Sequence, residues 1–241
     1  MRKTMDATMS CHIYNKALAN KGAAITEFLI VMLAMAPLVL GAIQLAMVFH
    51  AKTILSYATF EAARAGAVQN AQSTAMQNAF QRNMLALYGG GSNVGSLLAA
   101  YGRLKLDLLI PVALGGAGMT LDILSPTTEA YADFGLRTNG TGVRYIPNEH
   151  LRYRNRAVGA TSKVVLQDAN LLKIKITYGY KLFIPVINRI AARILLLADP
   201  GNATYYSADP PRLPIVSYAT VRMQSDAQAD ANTRSLKNPA P

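Results

Sequence analysis

Tryptophan is absent from this chain, cysteine occurs once, and histidine occurs only three times. A lone Cys11 cannot close an internal disulfide, so whatever folds here is held together by burial alone. Cys11 follows no apolar run, which argues against a lipoprotein acceptor site. His12, His50 and His150 stand far apart, so no His-x-x-x-His or mixed Cys/His ligand set exists; no metal and no cofactor are expected. Ser92, Ser96 and Ser125 lack a Gly-x-Ser-x-Gly setting, and beyond residue 50 only His150 offers a base. The carboxylates Asp122, Glu129, Asp133 and Asp168 are scattered like those of an ordinary surface. Neither Gly89-Gly90-Gly91 nor Gly115-Gly116-Ala117-Gly118 leads into Gly-Lys-Ser/Thr, so both read as turns or hinges. No catalytic residue emerges, and the chain is not expected to be an enzyme.

Acids are scarce too, at 13 against 24 bases. A net charge of +11 would ordinarily raise nucleic acid as a partner. The bases are dispersed, however, and Arg2, Lys3, Lys16 and Lys21 cluster before a stretch without any charge at all. From Phe28 to Phe49 no side chain is ionisable, and only Pro37, Gly41 and Gln44 interrupt the apolar run. As a helix this stretch spans roughly 33 Å, enough to cross a hydrocarbon core. It exceeds the 7 to 15 apolar residues usual in a cleavable secretory signal, and no small-x-small site follows closely. Bases on its N-terminal side place that end in the cytoplasm, with the larger C-terminal part outside. Glu27, at the edge of the run, is the anomaly. On general grounds it sits at headgroup level beside Lys21 and costs little.

The residues around it say more. Gly22 precedes Ala23-Ala24-Ile25-Thr26-Glu27-Phe28, and a long apolar run follows. This pattern resembles the processing site of type IV prepilin-like proteins, and more closely the N-terminus of TadE-like minor pseudopilins of the Flp (Tad) pilus machinery. The resemblance implies that a membrane-embedded prepilin peptidase cuts between Gly22 and Ala23, leaving Glu27 as the fifth residue of the mature chain. It further implies that Glu27 and Phe28 serve processing and assembly, with Glu27 pairing an α-ammonium group. Other pilus assembly proteins, pseudopilins and the inner membrane would be partners, and nucleic acid would not. Glu61-Ala62-Ala63-Arg64-Ala65-Gly66-Ala67 also resembles the family. The likeness is strongest over residues 22–68 and extends to 119–223.

Past the span the periodicity remains helical. Met76, Phe80, Met84 and Leu87 mark one face of a helix running to about Tyr88, where Gly89-Gly90-Gly91 stops it. The period then changes to two. Met119, Leu121 and Ile123 predict a short strand, and Ser125-Pro126 supplies an N-cap and first-turn proline for a helix over 127–134 ending at Gly135. Leu172 to Ile184 alternates between an apolar face and a wet one carrying Lys173, Lys175, Thr177, Gly179 and Lys181. Ile215 to Met223 predicts a third strand, the minimum for a stable sheet. That sheet needs a cover. The stripe Ile187, Ile190, Ile194 and Leu197, backed by Arg189 and Arg193, is the natural candidate, although a basic amphipathic helix also suits a membrane surface.

The expected class is therefore α+β: a long N-terminal transmembrane helix continuing into a domain with a small antiparallel sheet packed against helices. The divisions are a cytoplasmic leader (1–22), a transmembrane helix (23–51), a helical extension (52–88), an exoplasmic domain (89–223) and a disordered tail (224–241). The densest basic stretch, Arg137, Arg144, Arg152, Arg154 and Arg156 with Tyr145 and Tyr153, reads as a solvated or subunit-contacting loop, with the last four arginines as the candidate interaction residues. The rival class is an uncleaved, signal-anchored binding module that uses this loop to hold an acidic partner.

Overall fold

The computed structural model describes residues 2–89, 93–113, 118–137 and 142–236. Three helices come first, α1 (Arg2–Val68), α2 (Ser73–Met84) and α3 (Val94–Ala113), with a short 3-10 turn Leu85–Tyr88 between the last two. Strand β1 (Met119–Ser125), helix α4 (Thr128–Phe134) and the short strands β2 (Leu136–Arg137) and β3 (Arg144–Ile146) follow. The remainder is α5 (Leu166–Ala169), β4 (Leu171–Lys181), α6 (Ile187–Ala198), α7 (Ala203–Tyr206), β5 (Arg212–Arg222) and β6 (Ala227–Gln228). The protein is thus α+β, with one apolar helix among the described residues long enough to cross a membrane.

Helix α1 changes character along its length. Its side chains from Ile25 to Leu45 are mostly exposed and apolar. From Ala51 onward, Ala51, Leu55, Ala58, Ala62, Ala63 and Ala67 are buried at helical spacing. These small side chains let the helix lie close against other elements, and α1 packs on both β4 and β5 as well as on α2. Its end is a left-handed C-cap. Asn70 has φ 55°, and the Ala71 N–H donates to the Gly66 carbonyl at 2.8 Å. Asn70 N–H donates to Ser225 Oγ, which in turn donates to the Ala67 carbonyl. The turn breaks the helix that the sequence carries unbroken from 52 to 88. Residues 73–84 instead fold back as α2, burying Met76, Phe80 and Met84.

The main sheet has the order β1-β4-β5, all antiparallel. Register places Leu121 opposite Ile176, which faces Ser217, and Ile123 opposite Ile174, which faces Ala219. One face of the sheet is therefore apolar across β1 and β4, with the small Ser217 and Ala219 of β5 buried beside them. Its cover is α1, not α6. Ile190, Ile194 and Leu197 are exposed, Leu197 by 86%, and only Ala192 of α6 is buried. The expected core stripe is thus a correction: a helical period alone does not distinguish a face against protein from a face against something else.

The other face is drier than alternation suggests. Lys175 and Gly179 are buried, whereas Lys173 is exposed. Part of the reason is the segment after 223. The tail expected to be disordered instead forms β6 and runs along β1 as far as residue 236, with Ile123 N–H donating to the Asn232 carbonyl and Arg234 N–H to the Ile123 carbonyl. Arg234 then pairs Asp122 at 2.5 Å. Two unpaired β1 groups are satisfied in this way, and the sheet edge is covered. Residues 237–241 and Gly90, Gly91, Gly115, Gly116 and Ala117 lie outside the described residues. Helix α4 starts one step later than its sequence signal. Thr127, not Ser125, is the N-cap, its hydroxyl accepting from the Ala130 N–H, and the helix ends at Gly135 as expected.

Candidate processing site and contact surfaces

Gly22 and Ala23 lie within the continuous helical backbone of α1. A peptidase that needs an extended substrate must unwind this point, and glycine weakens a helix by roughly 1 kcal/mol relative to alanine. Glu27 is exposed, as is Phe28, at 61%. Helical spacing sets Glu27 one turn after Ala23, on the same face. Gln44 is the one polar side chain in the apolar run that the fold encloses. It is 4% exposed, and its Oε1 accepts from the Ile184 N–H at 3.0 Å. The loop between β4 and α6 is thereby fixed to the C-terminal end of the apolar run.

The basic stretch divides over two elements. Arg144 lies on β3, directly opposite Arg137 on β2, while Arg152, Arg154 and Arg156 lie in and after a 3-10 turn at Leu151–Tyr153. All four arginines are exposed, and Tyr153 is 84% exposed. Among the described residues none of the four pairs with a carboxylate; Arg154 Nε donates instead to the Glu149 carbonyl at 3.0 Å. The loop that carries them is nonetheless held firmly. Asn148 N–H donates to Asp226 Oδ1 at 2.7 Å, Asn148 Nδ2 to the Met223 carbonyl, and Gln167 Nε2 to the Leu151 carbonyl. These anchors tie the loop to the segment that caps α1 at Ala67. Val68 lies about 36 Å beyond Gln44 along the helix. The cationic loop and the apolar run therefore occupy opposite ends of the molecule.

A third constellation went unread in the sequence. Asp107 on α3 is 5% exposed, and its Oδ1 takes Lys181 Nζ and Arg212 NH2, each at 2.6 Å. Its Oδ2 accepts from the Tyr88 hydroxyl at 2.5 Å and from Tyr178 at 3.3 Å. Burial alone would raise the Asp107 carboxyl, but the hydrogen bonds from Lys181, Tyr88 and Arg212 outweigh it and hold the group below the ordinary carboxylate range. Burial, with Tyr178 and the nearby carboxylate, pushes the Tyr88 hydroxyl up. One signal for this cluster is present in the sequence: Asp107 is the single acid of the segment that forms α3, set between Leu106 and Leu108. The other requires the register, since Lys181 and Arg212 are direct cross-strand partners and two facing cations need an acid.

The scattered carboxylates have structural employment. Asp122 pairs Arg234, and Asp133 accepts from the N–H groups of Thr161 and Ser162, the latter at 2.7 Å. Glu129 accepts from the Ser235 hydroxyl and from the Leu236 N–H. Asp168 is exposed on α5. No three His, Cys, Asp or Glu side chains among the described residues form a metal-holding group.

Together these features define an α+β protein whose apolar N-terminal helix, long enough to cross a membrane, is also the spine of its folded domain. Over residues 22–64 the chain matches the family model described as TadE-like protein. The match begins at Gly22 and lies wholly within α1. No curated protein and no solved structure matches the chain. The similarity supports a role in Tad/Flp pilus assembly, in association with pilus assembly components. The likeness over 119–223 is not part of this match.

Proposed function

We propose that this chain is a minor pseudopilin of an Flp-type pilus, inserted with residues 1–22 in the cytoplasm, cut between Gly22 and Ala23 by a prepilin peptidase, and assembled with other subunits through its folded domain. The observation that carries the reading is the coincidence of two boundaries: the TadE-like match starts at Gly22, on the residue that precedes the expected cut. Helix physics supports it. In the uncut chain Glu27 lies deep inside a 67-residue helix. After the cut Ala23 becomes the helix N-terminus and Glu27 falls beside its first turn. There a negative charge gains roughly 0.3–1 kcal/mol from the helix dipole, and more from a new α-ammonium group on its own or a neighbouring chain. The exposed Arg144, Arg152, Arg154 and Arg156, none of which pairs with a carboxylate among the described residues, serve as a contact surface for another subunit at the membrane-distal end. The role is structural, with no reaction of its own.

N-terminal sequencing of the membrane-extracted protein tests this reading. A chain beginning at Ala23 is the expected result, and Gly22→Ala is expected to block the cut while leaving membrane insertion intact. An intact Met1 in cells with an active prepilin peptidase overturns the processing claim and leaves the signal-anchored binding module in its place.

A further inference from the structure

Helix α6 presents an anomaly. Its first residues are set by the Gln44 to Ile184 hydrogen bond, so it stands beside the apolar run of α1, not beside the sheet. Between the two helices lies an open groove of about 650 Å³, lined by Pro37, Leu38, Leu45, Ala191, Ile194 and Leu195 among others. Ile194 on the groove wall is 62% exposed, and Ile190 beside it 46%. Arg189 and Arg193 are exposed on the adjoining arc of the helix. In water this arrangement would leave a large apolar surface open, well beyond what a soluble protein tolerates.

We infer that α6 is a membrane-interface helix, embedded beside the span in the leaflet on the domain side, with acyl chains filling the groove and Arg189 and Arg193 bound to acidic phospholipid headgroups. Two features select a lipid surface as the occupant. First, the apolar surface of α6 is continuous with that of α1 from Ile25 to Leu45, which needs hydrocarbon around it. Second, the helix Ile187–Ala198 contains two arginines and no acid, which suits anionic phosphates. The depth also fits. The uncharged run ends at Phe49, so Gln44, through which the start of α6 is tied to α1, lies about 7.5 Å inside that end of the span. That depth is within the roughly 5–10 Å over which amphipathic helices embed their apolar faces. The long arginine stems reach back to the headgroups.

The inference rests on α1 crossing the membrane, and the test separates the two claims. Full-length protein with Cys11 replaced by Ser carries one fluorescent label at a time, at Leu33→Cys, Ile194→Cys or Tyr153→Cys, in bilayers with and without anionic lipid. Quenching by brominated phospholipid and by aqueous iodide is then read. Label at 194 is expected to be quenched by brominated lipid, as at 33, and to show iodide quenching several-fold weaker than at 153. Replacing Arg189 and Arg193 together by Gln is expected to weaken lipid quenching at 194 in anionic bilayers. Lipid quenching at 33 with free iodide access at 194 would overturn the interface helix while leaving the span standing. Protection at 194 from both quenchers, with disulfide-linked dimers of unlabelled Ile194→Cys, would overturn it in favour of a second copy of the chain. Iodide access at 33 would remove the span and the inference together.

Discussion

Removing the Asp107 carboxylate is the sharpest perturbation of the folded domain. In Asp107→Ala the two tyrosine hydroxyls still bond to each other at 2.6 Å, so neither is orphaned. Lys181, whose side chain is 31% exposed, can turn to water. Arg212 cannot, because its side chain is 6% exposed and among the described residues it retains only the Gly179 carbonyl at 2.9 Å. The cost is therefore essentially that of one buried, unpaired guanidinium, roughly 3–5 kcal/mol. Set against a total of about 5–15 kcal/mol for an ordinary domain, this is a large fraction of stability. The assay is urea unfolding of the full chain in lipid nanodiscs, followed by near-ultraviolet tyrosine circular dichroism, to which 12 tyrosines and no tryptophan contribute. The double variant Asp107→Leu/Arg212→Met removes the stranded cation with the acid and is expected to recover most of the loss. A single-variant cost below about 1 kcal/mol, or strict additivity of the Asp107→Leu and Arg212→Met single changes, would refute the assignment of the penalty to Arg212.

Other consequences are as direct. A β-carbon at Gly66 would meet Met76 Cγ and Sδ at 2.7 Å and Leu172 Cδ2 at 2.9 Å, so Gly66→Val is expected to cost at least about 1–3 kcal/mol in the same unfolding assay. Gly102→Ala, where no atom lies within 4 Å, is its control and is expected to stabilise by up to about 1 kcal/mol. Burial alone would raise the Glu129 carboxyl, but Ser235, the Leu236 and Glu129 N–H groups and Thr128 bring it from 4.5 to about 2. Between those values the unfolded state holds more protons than the folded one, so the contribution of Glu129 is present above pH 4.5 and is lost as pH falls toward 2. Hydrogen-exchange protection factors of residues 232–236, taken relative to intrinsic exchange at each pH, should fall across that window in the wild type and be low already at neutral pH in Glu129→Gln. Gln44→Leu leaves the Ile184 N–H without its acceptor, an expected loss of about 1–3 kcal/mol, visible as faster hydrogen exchange from Leu182 to Ile187.

The sequence showed most clearly what depends on local pattern. The apolar run, the strands at 119–125, 171–181 and 212–222, and the helix ending at Gly135 all follow from periodicity and capping. The identity of the sheet's cover does not. The alanines from Ala51 to Ala67 look like an ordinary exposed extension because alanine is weakly apolar, yet their small size is what admits the sheet. Ile187, Ile190 and Ile194 look like core because lipid-facing and core-facing stripes share one period. Helix α3 escaped notice for the opposite reason: it is apolar on several sides and shows no clean stripe. The tail reads as polar and disordered, but its contribution is made by Ser225, Arg234 and Ser235, each bonded to a group more than a hundred residues away. Such partners are set by topology and are invisible in local sequence. The proposed processing residues Gly22 and Glu27 rest on motif, and the proposed contact loop on basic density. Asp107 needed the cross-strand register before its two cations could be seen to face each other.

That the anchor and the spine are one helix has a mechanical consequence. No flexible joint separates the apolar run from the residues that pack on β4 and β5, so the domain cannot swivel freely about its anchor. A pull along α1 reaches the sheet as shear, borne at once by every buried side chain from Ala51 to Ala67. If α1 spans a bilayer as proposed, drawing it out carries the folded domain with it as a rigid load, and a twist applied at one end arrives at the other.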